Sequence, residues 1–473
     1  HHLGLVVLAP IPLPMGANTL VNGWMVNATV KAPIPKPMIT SSAPPRQISP
    51  SGWSLLQPRS RSYPRISADI DCDFCVVGAG WSGLAAAHRL ATSNPDSRIV
   101  LVDGGAIGSG AGGSNSGFLF DLPFVFSGDA YQGREDEGRF EIRLYREVVN
   151  GIRELVKSHN IECGWSEIGQ YHVAAGKQGE RDLGVIEKSL INLGEEHVVY
   201  GGLEIADRLG TNYYTRAIHT PGTVQINPFA LLNGIVTSLP ENVSVYENSP
   251  VHTIEEDRPV RVRCDGGTVS AGRCLVTSNT HLRAFIGSNA NLIPLMTFAA
   301  ITKPLGPKQA VGGQGNSIWG VVPSSPFGTS MRRLGDDRLL VRTTNAFAAD
   351  YNVPERIWAR AQNRLRKSLQ RRFPDAGNIE IEHTWGGLVS TFRDAKGFFG
   401  QIDKGIFAAT SSGMPLSILY GQQLAELVLG NDSEALGFVR RHSNPGRLLP
   451  DPWLGMFVNS GLAVQQIRAW REI

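Results

Sequence analysis

Glycines at positions 78, 80 and 83, in the run Gly78-Ala79-Gly80-Trp81-Ser82-Gly83, and an acid twenty residues beyond, Asp103, have the types and spacing to do chemistry. Gly78 permits a tight turn, Gly80 lets bare backbone approach a pyrophosphate, and Gly83 lets a following helix lie close to the preceding strand. A helix opening there offers unpaired N–H groups and the positive end of its dipole to the anion. Asp103 can accept from both hydroxyls of an adenosine ribose and would repel a phosphate on it. The chemistry implied is dinucleotide binding.

The elements that must position these residues are legible on either side. Cys72-Asp73-Phe74-Cys75-Val76-Val77 is an apolar run of strand length, Leu84 to Ala91 an apolar helix, and Ile99-Val100-Leu101-Val102 a second strand ending on Asp103. Together they spell a βαβ unit; a tight turn that binds nothing is the alternative. Small residues follow: Gly104-Gly105-Ala106-Ile107-Gly108-Ser109-Gly110-Ala111-Gly112-Gly113-Ser114-Asn115-Ser116-Gly117. Ordering so many glycines costs entropy, which is expected where bare backbone lies along a ligand. A flexible linker would read alike, but Phe118-Leu119-Phe120 resumes an apolar pattern at once.

The segment from Val76 to Ala87, Asp103, and the loop from Gly108 to Phe118 resemble the FAD-dependent amine oxidases of the D-amino-acid-oxidase and glycine-oxidase superfamily, nearest to its gamma-glutamylputrescine-oxidase-like branch. That branch reads Gly-Ala-Ser-Gly-Arg-Asn-Gly-Gly in the loop. Here Gly112 replaces the serine, Ser114 the arginine and Ser116 a glycine. The resemblance implies an α/β fold: a Rossmann-like FAD-binding domain, a parallel sheet with helices and a β-hairpin insertion, interleaved with an α+β substrate domain on a mostly antiparallel sheet. The boundaries expected are 1–48 extension, 49–150, 222–285 and 394–440 FAD-binding, 151–221 and 286–393 substrate domain, and 441–473 tail and helix.

The resemblance also assigns residues. Gly78 to Gly83, Asp103, Gly104 and Gly110 to Gly117 would hold the cofactor, with Val251 at the adenine, and Ser278, Asn279 and Gly387 near it. Ser412, Gly413, Met414, Pro415 and Leu416 would meet the ring at a helix start, Pro415 removing one N–H donor. Candidates for catalysis are Lys303, as a cation beside flavin N5, and Trp385 and Tyr171; surface and core roles are the alternatives. The FAD is expected to be non-covalent, because all five cysteines lie before residue 275, ahead of the region where sarcosine oxidases attach theirs. Ser417 stands where sarcosine oxidases place a carboxylate-binding lysine, so an amine without an obligatory α-carboxylate is preferred; Arg342 or Arg393 could supply that charge. Trp385, Phe392 and Phe398 are candidate walls.

The expected reaction is hydride transfer from a carbon next to nitrogen to FAD, giving an imine, with electrons passing to oxygen as hydrogen peroxide. A dehydrogenase feeding a quinone or protein carrier and a non-catalytic flavin-fold scaffold are the alternatives. The expected partners are a small-molecule amine or amino acid and molecular oxygen or an electron carrier; a homo-oligomer is compatible. The 473 residues carry 45 basic and 42 acidic side chains, a balance with no nucleic-acid footprint. The basic run from Arg364 to Arg372 reads as the solvated face of an amphipathic helix. Cys72 and Cys75 read as core thiols within a strand. No run of eighteen apolar residues marks a transmembrane helix.

A cytoplasmic protein is expected, although residues 1–48 leave export open: His1-His2 resembles a purification tag, Leu3 to Ala9 an unflanked signal core, and the prolines after it a linker. Later runs predict a helix over 140–160, another from Pro228, a strand over 243–251, and a hairpin of 260–264 with 268–271 turning at 265–267. Separate strands are predicted at 274–281 and 293–305, and helices over 417–429 and 463–472.

Overall fold

The computed structural model describes residues 50–59, 61–123, 131, 133–306, 309, 311, 318–325, 327–393, 396–450 and 453–473. The expected extension over 1–48 lies outside them.

Valine, isoleucine and leucine runs build a sheet ordered Gly397–Asp403, Ile406–Ser411, Gly267–Val276, Ile70–Val77, Ile99–Val102, Val243–Tyr246. All neighbours are parallel except the first pair. Val77 stands level with Val102 and Val276, so Gly78, Asp103 and Thr277 emerge along one sheet edge. Strand order reverses at Ile70–Val77, which opens a crevice there. The helix Trp81–Ser93 returns over the sheet, burying Leu84, Ala87 and Leu90 with Leu419 and Leu424 of the helix Met414–Leu429. These two helices nearly touch: a Cβ on Gly421 would lie 2.0 Å from the Ser82 carbonyl oxygen.

A second sheet is ordered Ile381–Thr391, Ile293–Thr302, Leu339–Phe347, Ser330–Arg333, Trp319–Pro323, Gln170–Ala174, Arg216–Thr220, Val198–Gly201, antiparallel except where Trp319–Pro323 meets Gln170–Ala174. Met296, Phe298, Ala300 and Val341 point outward, packing against Leu365 and Leu369 of the helix Glu355–Arg372. Alternation turns Thr297, Ala299 and Arg342 the other way, toward the parallel sheet's edge.

Several expected elements change shape. The strand expected over 243–251 is two, Val243–Tyr246 and Val251–Glu255, because Asn248 takes φ +51° and Ser249 N–H donates to Asp103 O. Conversely, 267–276 is one strand that serves the hairpin and then the parallel sheet, turning at Asp265 and Gly266. The last helix runs Trp453–Arg468, ten residues ahead of its expected start. The helix expected from 417 begins at Met414, putting Pro415 in its first turn, where N–H groups have no helical partner. No helix among the described residues is long and apolar enough to cross a membrane.

Candidate active site

Between the sheets lies a cavity of about 1200 Å³. At its floor, Gly78 has φ +103°, which its lack of a side chain allows, and a Cβ on Gly83 would lie 1.7 Å from Gly78 O. A Cβ on Gly80 would meet nothing within 4 Å. The glycine loop repeats this turn. Gly108 has φ +86°, a Cβ on Gly113 would lie 2.2 Å from Gly108 O, and Gly110 again faces open space. Gly80 (φ −81°, ψ −170°) and Gly110 (φ −80°, ψ −169°) share one conformation, each opening a helix, the second only Ala111–Ser114. The spacing 108, 110, 113 copies 78, 80, 83, so the repeat is written in the sequence itself.

Indole and hydroxyl donors hold this loop. Trp81 Nε1 donates to Gly112 O (3.1 Å), Ser51 Oγ to Gly113 O (3.1 Å), Trp385 Nε1 to Ser114 O (2.9 Å) and Trp53 Nε1 to Asn115 O (2.7 Å). Arg332 continues the series, donating from Nη1 to Ser116 O (3.1 Å), Gly117 O (3.0 Å) and Ile226 O (2.6 Å), and from Nε to Gln225 Oε1 (3.0 Å). Its guanidinium is buried against the rings of Trp53 and Phe118, and that burial pushes its pKa down to about 9. Sequence reasoning missed Ser51, Trp53 and Arg332 because their partners are backbone carbonyls distant in the chain.

Asp103 lies at the end of its strand, accepting from Ala79 N–H (2.7 Å) and Gly105 N–H (2.9 Å). Burial raises its pKa against the pull of those bonds. Opposite, Gly413 (φ +89°) turns the chain into the helix Met414–Leu429. Ser82 Oγ donates to Ser417 O (2.8 Å), so the N-termini of two long helices open side by side on the cavity.

The far end is roofed by the second sheet. Ala299 pairs with Arg342 and Trp385, and Thr297 with Asn345 and Gly387, all six facing the cavity from three adjacent strands. Arg342 and Asn345, three apart, would point to opposite faces of a regular strand. A bulge, with Thr344 at φ +68°, turns both inward. The Arg342 guanidinium has no hydrogen bond or ion pair among the described residues, and desolvation lowers its pKa. Asn345 Oδ1 is buried and unpaired. His281, its pKa pushed down to about 4 by burial, packs its ring 4.5 Å from that of Tyr351 at a tilt of 44°.

Residues 73–427 match the family described as FAD dependent oxidoreductase. The chain belongs to the DAO family of FAD-dependent oxidoreductases. It is 25% identical over 385 residues to the probable oxidoreductase OrdL of Haemophilus influenzae, covering 78% of this chain and 86% of that one. It is 26% identical over 420 residues to the gamma-glutamylputrescine oxidoreductase of Escherichia coli, covering 83% and 93%. Among solved structures, the glycine oxidase of Geobacillus kaustophilus superposes with a TM-score of 0.64 at 20% identity, over 77% and 96% of the two chains. The L-amino acid deaminase of Proteus myxofaciens gives 0.62 at 13%, over 82% and 95%.

Against this DAO framework, all the expected site residues line the cavity except Gly83, Gly117, Leu416, Lys303 and Tyr171. Gly83 and Gly117 shape the cradle from behind, Gly117 (φ +74°) lying where a Cβ would be 2.2 Å from Arg332 Nη1. Leu416 turns into the core. Lys303 is corrected to the surface: it follows the end of the strand Ile293–Thr302, its side chain is 59% exposed, and it pairs with Glu380 at 2.5 Å. Tyr171 is corrected to the outer face, since it neighbours Val321 in register while Val322 faces the cavity; its ring packs 4.8 Å from His219. Phe392 and Phe398 pack against the parallel sheet's core and do not line the cavity, and neither does Arg393.

Proposed function

We propose that this DAO-family enzyme oxidises the C–N bond of an amino acid, or of another amine carrying an acidic group, to an imine that hydrolyses to a carbonyl compound. FAD, when bound, would supply the hydride acceptor for this step, with molecular oxygen as the terminal acceptor, giving hydrogen peroxide. The cavity suits it: open space above Gly80 and Gly110 is what close approach of a pyrophosphate requires, and Asp103 lies where a ribose would be expected. Gly78 to Gly83 and the helix N-terminus at Trp81 would hold the ADP part. The loop from Gly110 to Ser116 and the turn from Ser412 to Pro415 would flank the ring. None of the five cysteines lines the cavity, consistent with non-covalent attachment.

The observation that carries the substrate reading is Arg342. A partly buried guanidinium turned into the cavity with no partner among the described residues is positioned to take an anion from a ligand, and its planar fork matches a carboxylate. This departs from the preference for an amine without an obligatory α-carboxylate drawn from Ser417 and takes up the alternative in which Arg342 supplies the charge. Arg342 would orient the substrate, Asn345 would add a hydrogen-bond acceptor for an ammonium or amine N–H, and Trp385 and Phe120 would wall it. The positive charge also disfavours the ammonium form of an amine nearby, helping it reach the neutral state from which a hydride can leave.

Anaerobic mixing of purified yellow protein with a panel of amines tests this. Amines bearing a carboxylate should bleach the flavin fastest, and Arg342→Met should raise KM for them by about 100-fold while leaving amines without an acidic group near their original rates. A protein that takes up FAD yet is bleached by no amine, or an Arg342→Met enzyme with unchanged KM, overturns the reading.

A further inference from the structure

The helix Trp453–Arg468 is apolar on two faces. Leu454, Val458 and Leu462 pack on Leu295 and Phe347 of the second sheet. On the opposite side Trp453 (60% exposed), Met456 (61%), Ile467 (73%) and, just past the helix, Trp470 (60%) stand in solvent, with Phe457 and Val464 between them. Spacings of three and four group Trp453, Met456 and Phe457 at one end and Val464, Ile467 and Trp470 at the other, on one side of the helix across the exposed Ser460, over roughly 25 Å at 1.5 Å per residue. Scattered exposed apolar side chains need no explanation, but six on one side of a single helix, an interrupted stripe with tryptophans at both ends, do.

Beside it runs a strongly basic element. Arg364 Nη1 donates to Gln466 Oε1 (2.6 Å) and the Arg371 guanidinium lies 5.6 Å from the Trp470 ring, so the C-terminal half of the helix Glu355–Arg372 meets the end of the stripe. It turns Arg356, Arg360, Arg366, Lys367 and Arg371 outward, against one acid, Glu355. The helix Trp453–Arg468 contains no acid at all.

We propose that this face binds the surface of an anionic lipid bilayer, the stripe entering the headgroup boundary and the neighbouring arginines and lysine meeting lipid phosphates. Tryptophans at both ends of the stripe suit that boundary, where an apolar ring and a polar N–H are both accommodated. A basic flank beside a shallow apolar face is the combination that peripheral membrane helices use, with no segment crossing the bilayer. A second copy of the chain fits less well, because a two-fold contact through the stripe would bring the two arginine-rich helices toward each other.

Sedimentation of the full chain with vesicles tests this, using phosphatidylcholine alone and phosphatidylcholine with about one third phosphatidylglycerol. Binding should be at least tenfold stronger to the anionic vesicles and should weaken as salt is raised. Met456→Asp/Ile467→Asp, at positions outside every core cluster, should lose at least tenfold. Arg366→Glu/Lys367→Glu should lose at least as much, each cation contributing roughly fivefold. Both variants should keep wild-type FAD content and unfolding midpoint, which shows that they fold. The inference is overturned if the wild-type chain stays in the supernatant, if it binds both vesicle types equally, or if both variants bind as it does. It is also overturned by a dimer, seen by light scattering, that Met456→Asp/Ile467→Asp dissociates while no vesicle binds.

Discussion

Gly80 and Gly83 are three residues apart, yet a methyl group would act on them in different ways. At Gly83 the added carbon would lie 1.7 Å from backbone oxygen, so strand and helix must separate. We expect Gly83→Ala to cost at least about 3 kcal/mol in urea unfolding of the apoprotein, beyond ordinary overpacking, and to lose FAD as a consequence. At Gly80 the carbon would enter open space that the cofactor needs. Gly80→Ala should keep the apoprotein's unfolding midpoint and weaken FAD binding by at least tenfold, read by titrating flavin fluorescence. Equal effects on both quantities in both variants would show that the turn does not cradle the cofactor. Arg332 makes a third case, because it is buried without a carboxylate and acts through carbonyl oxygens of the loop. Arg332→Met should cost about 1–3 kcal/mol for each carbonyl left unpaired. A loss below about 1 kcal/mol would mean that the indoles alone hold the loop.

The bulge in the strand Leu339–Phe347 is the element on which the substrate end depends. One extra residue, Thr344 at φ +68°, reverses the alternation so that Arg342 and Asn345 face the cavity together. A left-handed threonine carries about 1–2 kcal/mol of strain, which Thr344→Gly relieves while losing the buried hydroxyl's bond from Arg364 Nη1 (3.5 Å) and adding the glycine's entropy, so stability should change by less than about 1 kcal/mol, with KM unchanged. Destabilisation by more than that would place the bulge's stability in the threonine side chain. The same bulge shows where a sequence reading stops. The first glycine turn was legible because turn, helix start and acid are set by neighbours along the chain. Nothing local announces a bulge, so period-two reasoning could not bring Arg342 and Asn345 to one side. Lys303 and Tyr171 were misassigned for a related reason, since which face a strand buries is decided by its partners in the sheet. The split at 247–250 and the merged strand 267–276 likewise reflect pairing with Asp103 and with two sheets.

Across the whole molecule, the family resemblance foretold two sheets facing one cavity but not how the chain's last residues are secured. Ala175 N–H donates to Glu472 Oε1 (2.9 Å), Thr329 N–H to Glu472 O (2.7 Å), Arg372 Nη2 to the same carbonyl (2.8 Å), and Tyr213 Oη to Arg471 O (2.5 Å). Four segments distant in sequence therefore meet at residues 471 and 472, three of them at the buried Glu472. Burial raises its pKa from the ordinary 4.5 to about 7, more than the Ala175 N–H and nearby Arg372 lower it, and Asp182 adds to the rise. The unfolded chain then releases this proton at lower pH than the folded one, so it binds fewer protons between the two values and stability must fall as pH rises through that window. Below about 4.5 the contribution is full; above about 7 it is gone, a total of about 3 kcal/mol. Glu472→Gln keeps an acceptor for Ala175 N–H but cannot ionise, and every other titrating group is common to both proteins. The stability of the variant minus that of the wild type should therefore climb by about 3 kcal/mol between pH 4.5 and pH 8, measured by urea unfolding at each pH. A difference that stays flat across the range would mean that Glu472 titrates as it does in water and that the chain end is open to solvent.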